Sequence, residues 1–471
     1  MASPTNMDEF FEELLRIGDP YLALPAHIAA GGHALLGKLE GLLLASSRLR
    51  LAFGALAFTP ASLLARLIVD GAPGICLRVA RNQNSDGPTL ARIYATTTNA
   101  QTLRALASHR NAPAKLLGDL ARMGNADIRA AIARNPNTSA VTLHELFTDA
   151  PEQELATIAR HVNAGSALLL RIYAKGIPAA SAEVVAHRNC ARNLLADSCL
   201  STDSAIRRKC AGNPALTPAQ RLSLLHDPDA GVRAEALRAM LGPAPGDVAK
   251  TGDCSSQVRR AQARRPNLSE GLAERLAFDV DPWVRRWLAR NPSAPRRIIA
   301  KLSADRDEGV RRAAGRNPSC PPDQLAVLAR DEDAWVRAAV ASRQDLSRDA
   351  LQALESDSSI DVLSSVARNS ATRPVALLCL SEHGDAGVRR AVILNDNAPE
   401  SVLRALLDDD YPFNRALLAG HPNLPLEDAW TLAEDPEPQV RFAVGKRAAA
   451  VLSRSCSGAR CGAAAAPCPV I

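Results

Sequence analysis

Apolar residues return along this chain in a helical rhythm. In VRRAAGRNPSCPPDQLAVLARDED, Val310 to Asp333, Val310, Ala313 and Ala314 share one helical face, and Leu325 and Leu328 share another. That i, i+3, i+4 spacing marks buried helix stripes. The first stripe recurs as Val284/Trp287/Leu288, Val336/Ala339/Val340 and Val440/Ala443/Val444. The second recurs as Leu143/Leu146, Ile299/Leu302, Leu351/Leu354 and Leu403/Leu406. No run alternates with period two, so no strand is predicted.

Taking the residue before the first arginine as a register mark, Val232, Val258, Val284, Val310, Val336, Val362, Val388, Asn414 and Val440 each follow the last by 26 residues. Upstream, Ile75, Leu103, Ile128, Glu154, Ala182 and Ile206 keep the pattern at spacings of 24 to 28, and Leu49 fits weakly. A sustained period of this size is the sequence signature of a solenoid, here about 15 repeats of two short helical pieces each.

Polar columns run in step with the apolar ones. Seven residues after the mark stands asparagine, often before proline: Asn135, Asn213, Asn291 and Asn317, with Asn189, Asn369 and Asn395 lacking the proline. Proline disfavours helix in the residue before it, and asparagine suits a turn by bonding to nearby backbone, so the first helix ends here. Thr138, Thr217 and Ser269, with Pro218 at a first helical position, are start signals for the second helix. Five before the mark lies an aspartate column, Asp149, Asp227, Asp253, Asp279, Asp305, Asp331, Asp357, Asp409 and Asp435. Its carboxylates are placed to cap the first helix or to answer its positive end. Directly after the mark stands arginine: Arg129, Arg207, Arg233, Arg259, Arg285, Arg311, Arg337, Arg389, Arg415 and Arg441. Stacking would turn both columns into ladders. The arginines then either join aspartates or carbonyls of adjacent repeats, or line the surface that holds a partner.

Composition narrows this picture. Of 471 residues 47% are hydrophobic but only 3% aromatic, so the core is Ala, Leu and Val, which suits thin repetitive packing. With 56 basic and 50 acidic residues the net charge of +6 is too dilute to indicate a nucleic-acid binder by itself. No segment has 18 uncharged apolar residues, so no membrane span is expected, and the acidic N-terminus lacks the basic region of a secretory signal. The ten cysteines are scattered, and a reducing cytoplasm is the expected compartment.

The unit from Val310 to Asp333, with its Val-Arg, Asn-Pro and later Leu-x-x-Leu, resembles the leucine-rich repeat variant family of bacterial repeat proteins. The likeness extends from about Ile75 to Arg447. It implies an all-α, right-handed solenoid of alternating α- and 3₁₀-helices without a sheet. Proteins of this type can also carry an N-terminal iron-sulfur module on clustered cysteines. Here no cysteine precedes Cys76, so that module is not carried over.

The expected organisation is a helical cap over 1–48, the repeats over 49–447 and a disordered tail over 448–471 in which Cys456, Cys461 and Cys468 are free thiols. Enzyme signatures such as His-Glu-x-x-His, Gly-x-Ser-x-Gly or a phosphate loop are absent, and His109, His161 and His421 fall at or beside the asparagine column as turn substitutes. The expected function is therefore a non-enzymatic scaffold for a protein or peptide partner, with no cofactor, no metal and no membrane. Nucleic-acid binding along the arginine ladder is the alternative. Before the mark the residue varies from Gly309 to Trp283, which predicts exposure. Candidate contacts are Trp283, Trp335 and Phe413 at that position, with Arg233, Arg259, Arg285, Arg311, Arg337, Arg389, Arg415 and Arg441, and beside Trp283 the arginines Arg286 and Arg290 also remain open.

Overall fold

In the computed structural model the described residues are 47–55, 59–123, 125–240 and 253–460, and all regular structure among them is helical. The proposed N-terminal cap over 1–48 lies almost wholly outside them, as do Cys461 and Cys468. The chain divides into two compact units, one ending at Leu272 and one beginning at Ala273. Each is an α-solenoid.

In the unit that begins at Ala273, first helices such as Pro282–Arg290, Glu308–Arg316 and Ala334–Ala341 alternate with second helices such as Arg296–Leu302, Pro322–Leu328 and Arg348–Leu354. First helices stack on one another, and the second helices form the next layer. The unit ending at Leu272 repeats the plan with Ala126–Arg134, Glu152–Arg160 and Pro178–Ala186 as first helices and Ala140–Thr148 and Ser166–Tyr173 as second ones.

The core is the pair of predicted stripes. Val284, Leu288, Val310, Ala314, Val336 and Val340 are fully buried, as are Ile299 and Leu403 of the second helices. At about 25 cal/mol per Å² of apolar surface, no single Val or Ala contributes much, and stability comes from repetition. Trp287, placed in the core by its spacing, is only half-buried.

Three expectations change. The second helices are α-helical, with 3₁₀ geometry among the described residues confined to Thr431–Glu434. Their five to ten residues exceed the length that 3₁₀ bonding usually sustains. The last helix runs from Pro438 to Arg460, past Arg447, through an alanine run of high helix propensity. And two register marks move. The column residues of their repeats are His109 and His187, so the marks are the fully buried Thr102 and Ala180 in place of Leu103 and Ala182. With these marks the period is 26 residues at every step from Thr102 to Val440.

Candidate functional site

Two polar ladders organise the edges of the repeats. In the first, Arg285 donates through Nε and Nη2 to the two carboxylate oxygens of Asp305 at 2.7 and 2.8 Å. Its Nη1 donates to the Asp279 carbonyl at 2.7 Å. The same fork joins Arg207 to Asp227, Arg233 to Asp253, Arg311 to Asp331, Arg337 to Asp357, Arg389 to Asp409 and Arg415 to Asp435, always 20 residues apart. These are bidentate, charge-assisted pairs. The arginine side chains keep 6 to 16% of their surface exposed. Burial pushes the Asp305 and Asp331 carboxyls up, but Arg285 and Arg311 together with the N–H groups of Asp307 and Asp333 outweigh it and hold both below the usual range. Arg259 and Arg441 donate to the Asp253 and Asp435 carbonyls.

The aspartates of this ladder are not the helix caps. Each accepts an N–H two residues on, as Asp305 does from Asp307 at 2.9 Å. Capping falls to the next acid: Asp307, Asp333 and Asp229 accept from Val310, Val336 and Val232. Between Arg285 and Asp435 one rung is missing on both sides at once, with Leu363 in place of arginine and His383 in place of aspartate. The His383 Nδ1 still accepts the N–H two residues on, at 3.0 Å.

The second ladder is asparagine. Asn317, buried, donates both Nδ2 hydrogens to the carbonyls of Ala289 and Asn291 of the preceding repeat, at 2.7 and 2.9 Å, while Oδ1 accepts from Ser319 N–H at 2.8 Å. Asn135, Asn213, Asn369 and Asn395 do the same. The asparagine expected to make a local turn instead joins repeats, and its backbone is ordinary extended chain, φ −71° at Asn317. His109, His161, His187 and His421 take the same place. Each donates Nε2–H to a carbonyl of the preceding repeat and accepts an N–H two residues on at Nδ1. That pattern fixes the neutral Nε2–H tautomer. Asn189, read as the column residue, lies two residues beyond His187 and donates to the Ala164 carbonyl. Arg343 replaces asparagine in its repeat and reaches the Gly315 and Asn317 carbonyls.

Outside both ladders lies the exposed face of the first helices. Trp283 and Trp335 keep 47% and 54% of their surface, and Phe413 46%. The Arg286 guanidinium stacks on the Trp283 ring at 4.4 Å, and Arg390 lies 5.2 and 4.9 Å from the rings of Tyr411 and Phe413. So the eleven candidate residues separate: the three aromatics stand on an open face, and the eight arginines belong to the ladder edge. Arg286 is one of the arginines that the sequence leaves open as contacts beside Trp283, whereas Arg390, two residues after its mark, is not singled out there. Its signal is the pair Tyr411 and Phe413 one repeat on.

No known family's model matches the chain, and no curated protein does. Solved structures similar to it include the Pds5-Scc1 complex implicated in cohesin function, 14% identical over 93% of this chain and 73% of that one, at a TM-score of 0.17. An engineered protein is 14% identical over 73% of this chain and 96% of its own, at 0.12. A computationally designed armadillo repeat protein for modular peptide recognition is 11% identical over 71% and 98%, at 0.10. None of these superpositions is close enough to transfer a role.

Among the described residues, no group of three or more His, Cys, Asp or Glu is placed to hold a metal ion, and no helix is long and apolar enough to cross a membrane. Cys190 and Cys320 occupy a small buried column ten residues past the mark, and burial pushes both thiols up to about 11. Thr138 and Thr372 hold the same place, each donating its hydroxyl to a carbonyl six residues back.

Proposed function

We propose that the chain is a non-enzymatic scaffold of the leucine-rich repeat variant type that holds a protein or peptide partner on the exposed face of its first helices. The observation that carries this reading is the division of labour among the arginines. Ladder arginines spend Nε, Nη1 and Nη2 on aspartates and carbonyls within the lattice, whereas Arg286 and Arg390 lie against solvent-facing aromatic rings. Half-exposed aromatics beside arginine are favoured anchors in protein interfaces. Nucleic-acid binding through the ladder would require arginines such as Arg285, Arg311 and Arg337 to leave their aspartates first. A reducing, cytoplasmic compartment suits Cys199 and Cys210, whose Sγ atoms stand 3.4 Å apart as thiols.

The test uses the whole chain as bait, comparing wild type with a Trp283→Ala/Trp335→Ala/Phe413→Ala variant whose helicity is checked by circular dichroism. The expected result is that one or more proteins captured by wild type are lost by the variant. Equal capture by both would sink the reading. An oligonucleotide titration at two salt concentrations tests the alternative, since phosphate contacts weaken steeply with salt.

A further inference from the structure

Four arginines on two adjacent first helices form a basic patch that the ladders do not use. Arg286 and Arg290 lie on Pro282–Arg290, and Arg312 and Arg316 lie on Glu308–Arg316. The asparagine ladder sets these helices in register: Asn317 bonds to the carbonyls of Ala289 and Asn291, which places Arg290 alongside Arg316 and Arg286 alongside Arg312. Arg286 lies directly over Gly309, where a β-carbon would meet its Nη2 at 1.6 Å. The absence of a side chain there is what lets the guanidinium settle between the two helices and against Trp283. Its Nη2 is 3.3 Å from Asp307.

The other three have no such partner. Arg290 lies 5.2 Å from the Trp287 ring, and neither it, Arg312 nor Arg316 bonds to a carboxylate. Arg290 and Arg316 are exposed and Arg312 half-buried. Exposed Glu308, on the same helix, pairs with none of them. Four guanidinium groups thus face one engaged carboxylate. Burial, and after it the charges of Arg286, Arg312 and Arg316, make it harder for Arg290 to hold its proton, as expected for like charges crowded together.

We propose that this patch, bordered by Trp283 and Trp335, is where a short acidic segment of a partner protein docks. The proposal rests on the scaffold reading above and adds the chemistry of the ligand. Charge complementarity selects an anion, and extent selects among anions. In the next two repeats the same positions carry Ala338, Ser342, Ser364 and Arg368, with Asp361 before the mark, and the preceding repeat, with Arg260 and Arg264, belongs to the other compact unit, so within the unit that begins at Ala273 the crowding of arginines is confined to these two helices. Within that unit the patch therefore measures about one interhelical spacing, roughly 10 Å, by one helical turn of about 5 Å. That spans three or four residues of an acidic peptide, which two guanidinium pairs would clamp through forked bonds to carboxylates. A nucleic-acid strand would call for a longer row of phosphate contacts. The flanking tryptophans would close over the aliphatic parts of the segment.

The experiment measures fluorescence anisotropy of a labelled octapeptide of alternating Glu and Asp with the full chain at low salt. Arg290→Glu/Arg316→Glu should weaken binding at least tenfold, while Arg348→Glu, on a second helix and with the same charge change as Arg290→Gln/Arg316→Gln, should leave it within twofold. Arg290→Gln/Arg316→Gln, which removes charge without adding repulsion, should give an intermediate loss, and circular dichroism should show all three folded. Equal affinity in wild type and both double variants would overturn the proposal. So would tighter, equally arginine-dependent binding of a single-stranded oligothymidylate. If the peptide fails while the aromatic triple variant still loses its captured protein, the acidic ligand is wrong and the scaffold reading stands. If that capture is unaffected, the scaffold reading itself fails.

Discussion

A single asparagine illustrates how much one side chain does in a repeat lattice. Asn317 has two donors and one principal acceptor in use, all buried and all satisfied, two of them by the preceding repeat. Replacing it by alanine strands two carbonyls and one N–H, at about 1–3 kcal/mol for each group that water cannot reach. Asn317→Ala should therefore lower the thermal midpoint clearly, whereas Pro318→Ala, at an exposed neighbouring position, should change it little; a calorimetric scan of both variants decides this. That histidine and arginine also serve in this column follows from the same bonds, since each can donate to a carbonyl 26 residues back. From sequence they look like interruptions. They are substitutions of one donor for another.

At the level of the element, the helix pair was legible and the division of labour among its acids was not. The apolar spacing predicts both helices, and Thr217 is indeed a cap, forming a reciprocal box with Gln220. But the two acids that precede a first helix, such as Asp305 and Asp307, look alike in sequence. Only the fold shows that the nearer one caps and the farther one receives the arginine of the preceding repeat. Because Arg285 and Asp305 are both largely buried, Arg285→Ala should cost about 3–5 kcal/mol by leaving a carboxylate unpaired. The Leu363/His383 pair indicates how the lattice tolerates a missing rung. Arg311→Leu with Asp331→His should accordingly destabilise less than the sum of the two single changes, and denaturant unfolding of the three variants completes the cycle. Additive losses would show that the rung is not a coupled unit.

Over the whole molecule the ladders make stability depend on pH in two windows. The His109, His187 and His421 imidazoles are depressed by burial, and their Nδ1 atoms face backbone N–H groups that a second ring proton would oppose. A depressed group stabilises the fold above its unfolded value, about 6.5 for histidine, and that contribution is lost as pH falls toward the folded value. The ladder aspartates are depressed too. For Asp357 the Arg337 guanidinium is the largest influence, while for Asp305 and Asp409 burial is the largest, acts upward, and is overcome by the paired arginine together with neighbouring N–H donors. Their contribution is intact above about pH 3.9 and is lost below it. Thermal melts should thus decline modestly from pH 7.5 to 5.5 and steeply below pH 4. His187→Asn, copying the commoner residue of the column, should flatten only the first decline. An unchanged midpoint between pH 7.5 and 5.5 would remove the histidines from the account.

By itself the sequence determined the architecture, because each repeat must bury two apolar stripes and can do so only against its neighbours, so the 26-residue period and the helix spacing already contain the solenoid. It also determined which columns are polar and that Asp and Arg keep step. The tertiary structure decided what those columns touch. A partner 20 or 26 residues away is invisible to local pattern, since the bond between Arg285 and Asp305 or between Asn317 and Asn291 exists only once the repeats stack. Stacking also decided which arginines are consumed: those beside the mark reach across to the ladder aspartate, and those one residue farther round the helix, Arg286 and Arg312, point away from it, because neighbouring positions on a helix point about 100° apart.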